Sequence, residues 1–207
     1  MRVSSNSFQD GAPLPERHAF GIPDGSGKAT MGPNVNPHLA WKDAPAGTRS
    51  FVVLCVDSDV PTVFDDANVE GRTIANDLAR MDFYHWALID IAPSITEIAE
   101  GADSNGITPR GKPAEATPHG VRGLNDFTMA MGNDPNMSGA YAGYDGPFPP
   151  WNDERVHHYR FRVLALDIER LGFDPGYQPR ELMQKMEGHI LAEASITGSY
   201  TLNAALR

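Results

Sequence analysis

Two carboxylates, Asp57 and Asp59, close an apolar run that reads Phe51-Val-Val-Leu-Cys-Val-Asp57-Ser-Asp59-Val-Pro61. Side chains of a strand alternate faces, so the pair is expected on one side, about 7 Å apart along the chain. Carboxylates at a strand mouth accept hydrogen bonds from an ammonium or hydroxyl group, or keep a nearby imidazole charged. Asp, Ser and Pro also favour a plain solvated turn, and this stretch alone leaves both readings open. Two further pieces carry chemistry. His85 opens an aliphatic run beside Trp86, and Gly146-Pro-Phe-Pro-Pro150 is followed by His157 and His158. A lone histidine in an apolar run is more often packed than functional. The Gly/Pro segment suits neither a helix nor a central strand, so it forms a rigid loop that either closes the fold or lines a pocket.

The elements that must position these groups are mostly strands. Residues 50–56 and 84–91 are apolar runs ended by turn-forming residues, and 158–167 alternates with Arg160 and Arg162 on one face. A short closing strand is expected over 195–202 and another near 19–22. Pro179 opens the best helical pattern, with Leu182, Met183, Met186 and Ile190 on one stripe that reads as core packing. Ser94 with Glu97 fits a capping box and a short helical turn. Residues 73–80 suit a turn or two of helix. Several strands with few helices and no βαβ alternation indicate a mainly β fold with peripheral helices.

Composition sets the limits. The 207 residues, 41% of them hydrophobic, are enough for a real core, and 20 Gly with 17 Pro favour turns and short strands. A formal net charge of −10 with no basic run argues against nucleic acid and against attraction to an anionic membrane. The single cysteine, Cys55, permits no internal disulfide and no zinc motif. No apolar stretch reaches membrane-spanning length, so a cytoplasmic protein without stable membrane insertion is expected.

The ordered series of motifs resembles the phosphatidylethanolamine-binding protein family, in particular its bacterial branch similar to Raf kinase inhibitor protein. Pro37-His-Leu39-Ala-Trp41, Asp57-Ser58-Asp59-Val60-Pro61, His85-Trp86, Gly123-Leu-Asn125-Asp126-Phe127, Tyr144-Asp-Gly146-Pro147-Phe-Pro149-Pro150, His157-His-Tyr159-Arg-Phe161 and Gly198-Ser-Tyr200 carry the likeness. It implies a β-sandwich with Greek-key connections: a single domain over 36–207 with an extended arm, 1–35, packed on it. It also implies a surface pocket for phosphate or a phosphate-bearing head group, formed by Asp57, Asp59, Pro61, His85, Gly146, Pro149, Pro150, His157 and Tyr159. In that pocket, protonated imidazoles and loop N–H groups would hold the anion while the aspartates keep the imidazoles charged.

The resemblance implies a binding protein, not an enzyme, with no cofactor and no metal. Its partners would be a small anionic ligand and, as open extensions, a protein that it modulates and a second copy of itself. Two other readings stand beside it: a metal-dependent hydrolase using the Asp/His cluster, and an interaction protein with a vestigial pocket. The chain departs from the family pattern at two longer segments, 62–84 and 128–142, which flank the expected pocket. It also departs at Ser58, Phe148 and His158, where proline, a small residue or cysteine, and arginine would be usual.

Overall fold

The structure, a computed structural model, describes residues 1–207. Its strands are β1 (Arg2–Ser4), β2 (Gly21–Pro23), β3 (Ala29–Met31), β4 (Leu39–Lys42), β5 (Ser50–Pro61), β6 (Arg80–Ile91), β7 (Glu97–Ile98), β8 (Ala116–Thr117), β9 (Gly120–Arg122), β10 (His157–Leu166) and β11 (Ile190–Tyr200). Two short helices, α1 (Phe127–Ala130) and α2 (Leu182–Met186), lie among them. A six-stranded antiparallel sheet in the order β11-β10-β5-β6-β9-β8 forms the centre. A smaller sheet, β1-β4-β7, packs against one of its faces.

The core strand β5 explains why its sequence is a continuous apolar run and not an alternating one. Phe51, Val53 and Cys55 enter the larger core beneath the small sheet, with Trp41 and Phe161. Val52, Leu54 and Val56 enter a second core on the opposite face, covered by Leu171, Tyr177, Leu182 and Met186. A strand buried on both sides needs apolar residues at both parities. The N-terminal 35 residues add Phe8, Leu14 and Ala19 to the larger core, and Phe20 to a third cluster beside the cavity described below.

Three local expectations fail. The helical stripe after Pro179 stops at Met186: Ile190 starts β11, which therefore begins five residues earlier than the pattern suggested. Leu182 and Met186 supply the buried face, whereas Met183 is 43% exposed. The Ser94/Glu97 pair caps no helix, because Glu97 and Ile98 pair with Ala40 and Leu39, and burying Ile98 against β4 outweighs a local cap. Residues 73–80 form no helix either. Ile74 bridges to Asp153, and Arg80 already belongs to β6. No helix is long and apolar enough to cross a membrane.

Candidate functional site

Strand irregularities aim the chemistry. Asp57 pairs with Phe83 and Val60 with Met81, which leaves one extra residue on β5. This bulge breaks the alternation that would have put Asp57 and Asp59 side by side. Asp57 is buried, with one oxygen on the Asp59 backbone N–H at 2.8 Å and the other on His157. Asp59 turns instead to the exposed His158 (2.9 Å) and to Arg155 (3.4 Å). A second bulge falls at His85, because Cys55 pairs with Trp86 and Val56 with Tyr84. Freed from the ladder, His85 exchanges bonds with Asp145: its carbonyl accepts the Asp145 N–H, and its Nδ1–H donates to the Asp145 carbonyl at 2.7 Å.

His157 lies between two carboxylates, with Nδ1 at 2.6 Å from Asp57 and Nε2 at 3.2 Å from Asp153. Burial works against its charge, but Asp57 and Asp153 overcome that and raise its pKa to about 9. Asp153 is also gripped by Arg80, at 2.6 and 3.0 Å. Burial would raise its carboxyl, yet His157 and Arg80 hold it below the usual range. Asp57, His157, Asp153 and Arg80 thus form a buried chain of alternating charge. Both N–H groups of His157 serve carboxylates, so this imidazolium has no donor left for an anion. That corrects the expectation of an anion gripped directly by His157.

His85 behaves differently. Burial lowers its pKa despite the opposing charge of Asp57 and the Asp145 carbonyl, so the ring is neutral at pH 7. With its proton on Nδ1, Nε2 carries a lone pair. The rings of Phe83, Phe127 and Tyr159, at 4.9, 5.6 and 5.1 Å, fix its orientation. The Tyr159 hydroxyl is buried beside Asp57 without a hydrogen bond of ordinary geometry, and burial followed by the Asp57 charge keeps it well above the ordinary phenol range.

These groups face one cavity of about 200 Å³. Of the nine residues expected at the pocket, Asp57, His85, Pro149, Pro150, His157 and Tyr159 line it, while Asp59, Pro61 and Gly146 do not. Pro61 is paired with Arg80 at the end of β5. The Gly146 backbone lies so close to the His18 carbonyl that a Cβ would collide with it, and its N–H donates to Asn34 at 2.8 Å. Phe83, Phe127 and Phe148 add aromatic wall, and the two long segments flanking the motifs add Phe64, Ala67 and Asn68, and Ala130 and Met131. Asp153 and Arg80 escaped the sequence reading. The i, i+4 spacing of Asp153 and His157 beyond the two prolines was the available signal for the first; for Arg80 none existed, since only β5–β6 pairing brings it there. No group of three or more His, Cys, Asp or Glu side chains is arranged to hold a metal ion.

Comparison with known proteins agrees with this architecture. The chain is 34% identical over 202 residues to the UPF0098 protein YbhB of Escherichia coli K12, covering 97% of this chain and all of that one. It is 31% identical to a UPF0098 protein of Aquifex aeolicus, covering 97% and 88%. The crystal structure of E. coli YbcL, described as a new member of the mammalian PEBP family, superposes with a TM-score of 0.69 at 28% identity over 97% of each chain. That of CT736 from Chlamydia trachomatis, described as a putative phosphatidylethanolamine-binding protein homolog, gives 0.63 at 25% identity over 96% and 95%. The family model named phosphatidylethanolamine-binding protein matches residues 4–201, and the chain belongs to that family.

Proposed function

We propose that the cavity binds a small phosphorylated or otherwise anionic ligand of the phospholipid head-group type and performs no reaction on it. The Nε2 of His85 carries this reading: only the Nδ1 side of the ring is engaged by the protein, and His85 lines the cavity together with Asp57 and Tyr159. An unpaired buried polar group costs about 1–3 kcal/mol, which a ligand oxygen would recover. An entering anion raises the proton affinity of His85, whose Nε2–H then becomes a charged donor beside the Tyr159 O–H. Asp57 faces the same space and accepts from an ammonium or hydroxyl group of the ligand. Modulation of a partner protein, a homodimer and a cytoplasmic setting are extensions of this proposal.

Because the bound state holds a proton on His85 that the empty state lacks, affinity falls as pH rises. The test is thermal melting with and without millimolar phosphate and phosphoethanolamine at pH 6 and pH 8. A stabilising shift at pH 6 that shrinks at pH 8 and vanishes in His85→Gln is expected. A shift independent of pH and of His85 overturns the assignment. A metal-dependent hydrolase would need His157 to surrender one of its two carboxylates; stoichiometric metal in protein purified without chelator, together with ester hydrolysis, would select that reading instead.

A further inference from the structure

We infer that the ligand of this chain is a phosphomonoester with a compact apolar group, aryl or short alkyl, and that Asn152 is the positioning residue that holds the wall for that group. The inference rests on the anion-binding reading above and adds to it the other half of the ligand. A water molecule takes about 30 Å³ in the liquid, so a cavity of about 200 Å³ has room for roughly six or seven, more than a phosphate alone fills. Apart from Asn68 on the loop, the polar lining residues are Asp57, His85, His157 and Tyr159, and the remaining surface is largely apolar. Such a space takes an amphiphile, with its anion on the polar floor and its carbon between Phe64 and Met131.

The wall belongs to a loop with no helix or strand of its own. Residues 62–79 leave β5 and return to β6, carrying Phe64, Ala67 and Asn68 to the cavity. Three carbonyls of this loop, those of Asp66, Arg72 and Val69, accept from the one side-chain amide of Asn152 at 2.8, 3.0 and 3.4 Å. The Asn152 oxygen takes the Asn68 N–H at 2.8 Å, and the Asn68 side chain takes the Trp151 N–H at 3.0 Å. Asn68 adopts a left-handed backbone (φ 60°), which Asn tolerates better than most residues. Pro149 and Pro150 at the cavity, Asn152 on the loop and Asp153 beneath His157 are therefore consecutive parts of one rigid segment. Loop and floor are held in register by the same few residues.

The experiment is calorimetric titration of the full chain at pH 6 with inorganic phosphate, phosphoethanolamine and phenyl phosphate. Phenyl phosphate is expected to bind about tenfold tighter than phosphate or more, from burial of the ring. That preference should fall to about twofold or less in Phe64→Ser, whose side chain is half-exposed, and in Asn152→Ala. Trypsin cleavage after the exposed Arg72 should accelerate in Asn152→Ala and not in Phe64→Ser. Tyr159→Phe should weaken both ligands alike and leave the preference intact. Equal affinity for phenyl phosphate and phosphate in the native chain, or a preference that survives both loop substitutions, overturns the inference while leaving the anion site standing. Failure of all three ligands to bind overturns the anion site and the inference together. Unchanged trypsin cleavage in Asn152→Ala removes Asn152 from it.

Discussion

Two buried aspartates on either side of His85 show what separates a structural polar network from a ligand site. Asp145 is saturated by the protein: one oxygen takes Lys112 at 2.7 Å and Asn34 at 2.8 Å, and the other takes Asn125 at 2.8 Å. Burial nevertheless raises its carboxyl, with Lys112 and the amides opposing. Asp57, at the cavity, belongs to a network that lies beside the unengaged Nε2 of His85. The first network fixes the backbone that orients His85. The second leaves hydrogen-bonding capacity facing an open space. Completeness, not charge, distinguishes them.

Substituting His157 strikes this contrast hardest. His157→Gln should cost about 3 kcal/mol at pH 7, the worth of moving an imidazole from its ordinary 6.5 to about 9 on folding. A raised folded pKa gives stability that is full below about 6.5 and lost as pH rises through about 9. The gap between native and variant melting temperatures should therefore close on the alkaline side. A constant gap from pH 6 to pH 10 would show that the imidazolium is not what holds the floor.

Lys112→Met tests the saturated network, with an expected loss of about 2 kcal/mol at pH 7. That is less than the loss of one partner from a typical buried pair, because Asp145 can accept a proton and keeps two amide donors. Its folded pKa, already raised, rises further in the variant, so the penalty shrinks as pH falls toward 5. The two substitutions thus recover at opposite ends of the pH scale, and recovery at the same end would erase the distinction between the networks. Phosphate affinity in Lys112→Met should stay within about threefold of native, since no ligand contact is removed.

The smallest effect on the fold and the most selective one on binding should come from Tyr159→Phe. Removing a hydroxyl that makes no hydrogen bond of ordinary geometry within the protein should leave stability within about 0.5 kcal/mol of native. The same change should weaken phosphate by about fivefold, the worth of one hydrogen bond of about 1 kcal/mol. A clear loss of stability with unchanged affinity would place Tyr159 in the core and outside the site.

The elements that carry the site were legible because their patterns are local. The apolar run before Asp57, the alternation from His158 onward and the rigid Pro149-Pro150 segment each report their structure within a dozen residues. The failures share one cause. The helical stripe after Pro179 and the cap at Ser94 are sound local signals, but distant pairing overrides them: Ile190 aligns with Leu166 and Ile98 with Leu39. In the first of the two longer segments the helical turn expected over 73–80 does not form, since that segment's shape comes from clamps such as Asn152 that lie far away in the chain.

The order and chemistry of its motifs determined that this chain is mainly β and belongs among the phosphatidylethanolamine-binding proteins, and they singled out the acids and imidazoles of the site. Only the tertiary structure decided how those groups divide their work. A bulge in β5 turns Asp59 away from Asp57, a bulge in β6 frees His85 to bond Asp145, and β5–β6 pairing brings Arg80 to Asp153. His157 thereby becomes a charged strut and His85 a neutral, open one. Protonation depends on burial and on the exact neighbours of each ring, which are properties of folded space and not of spacing along the chain.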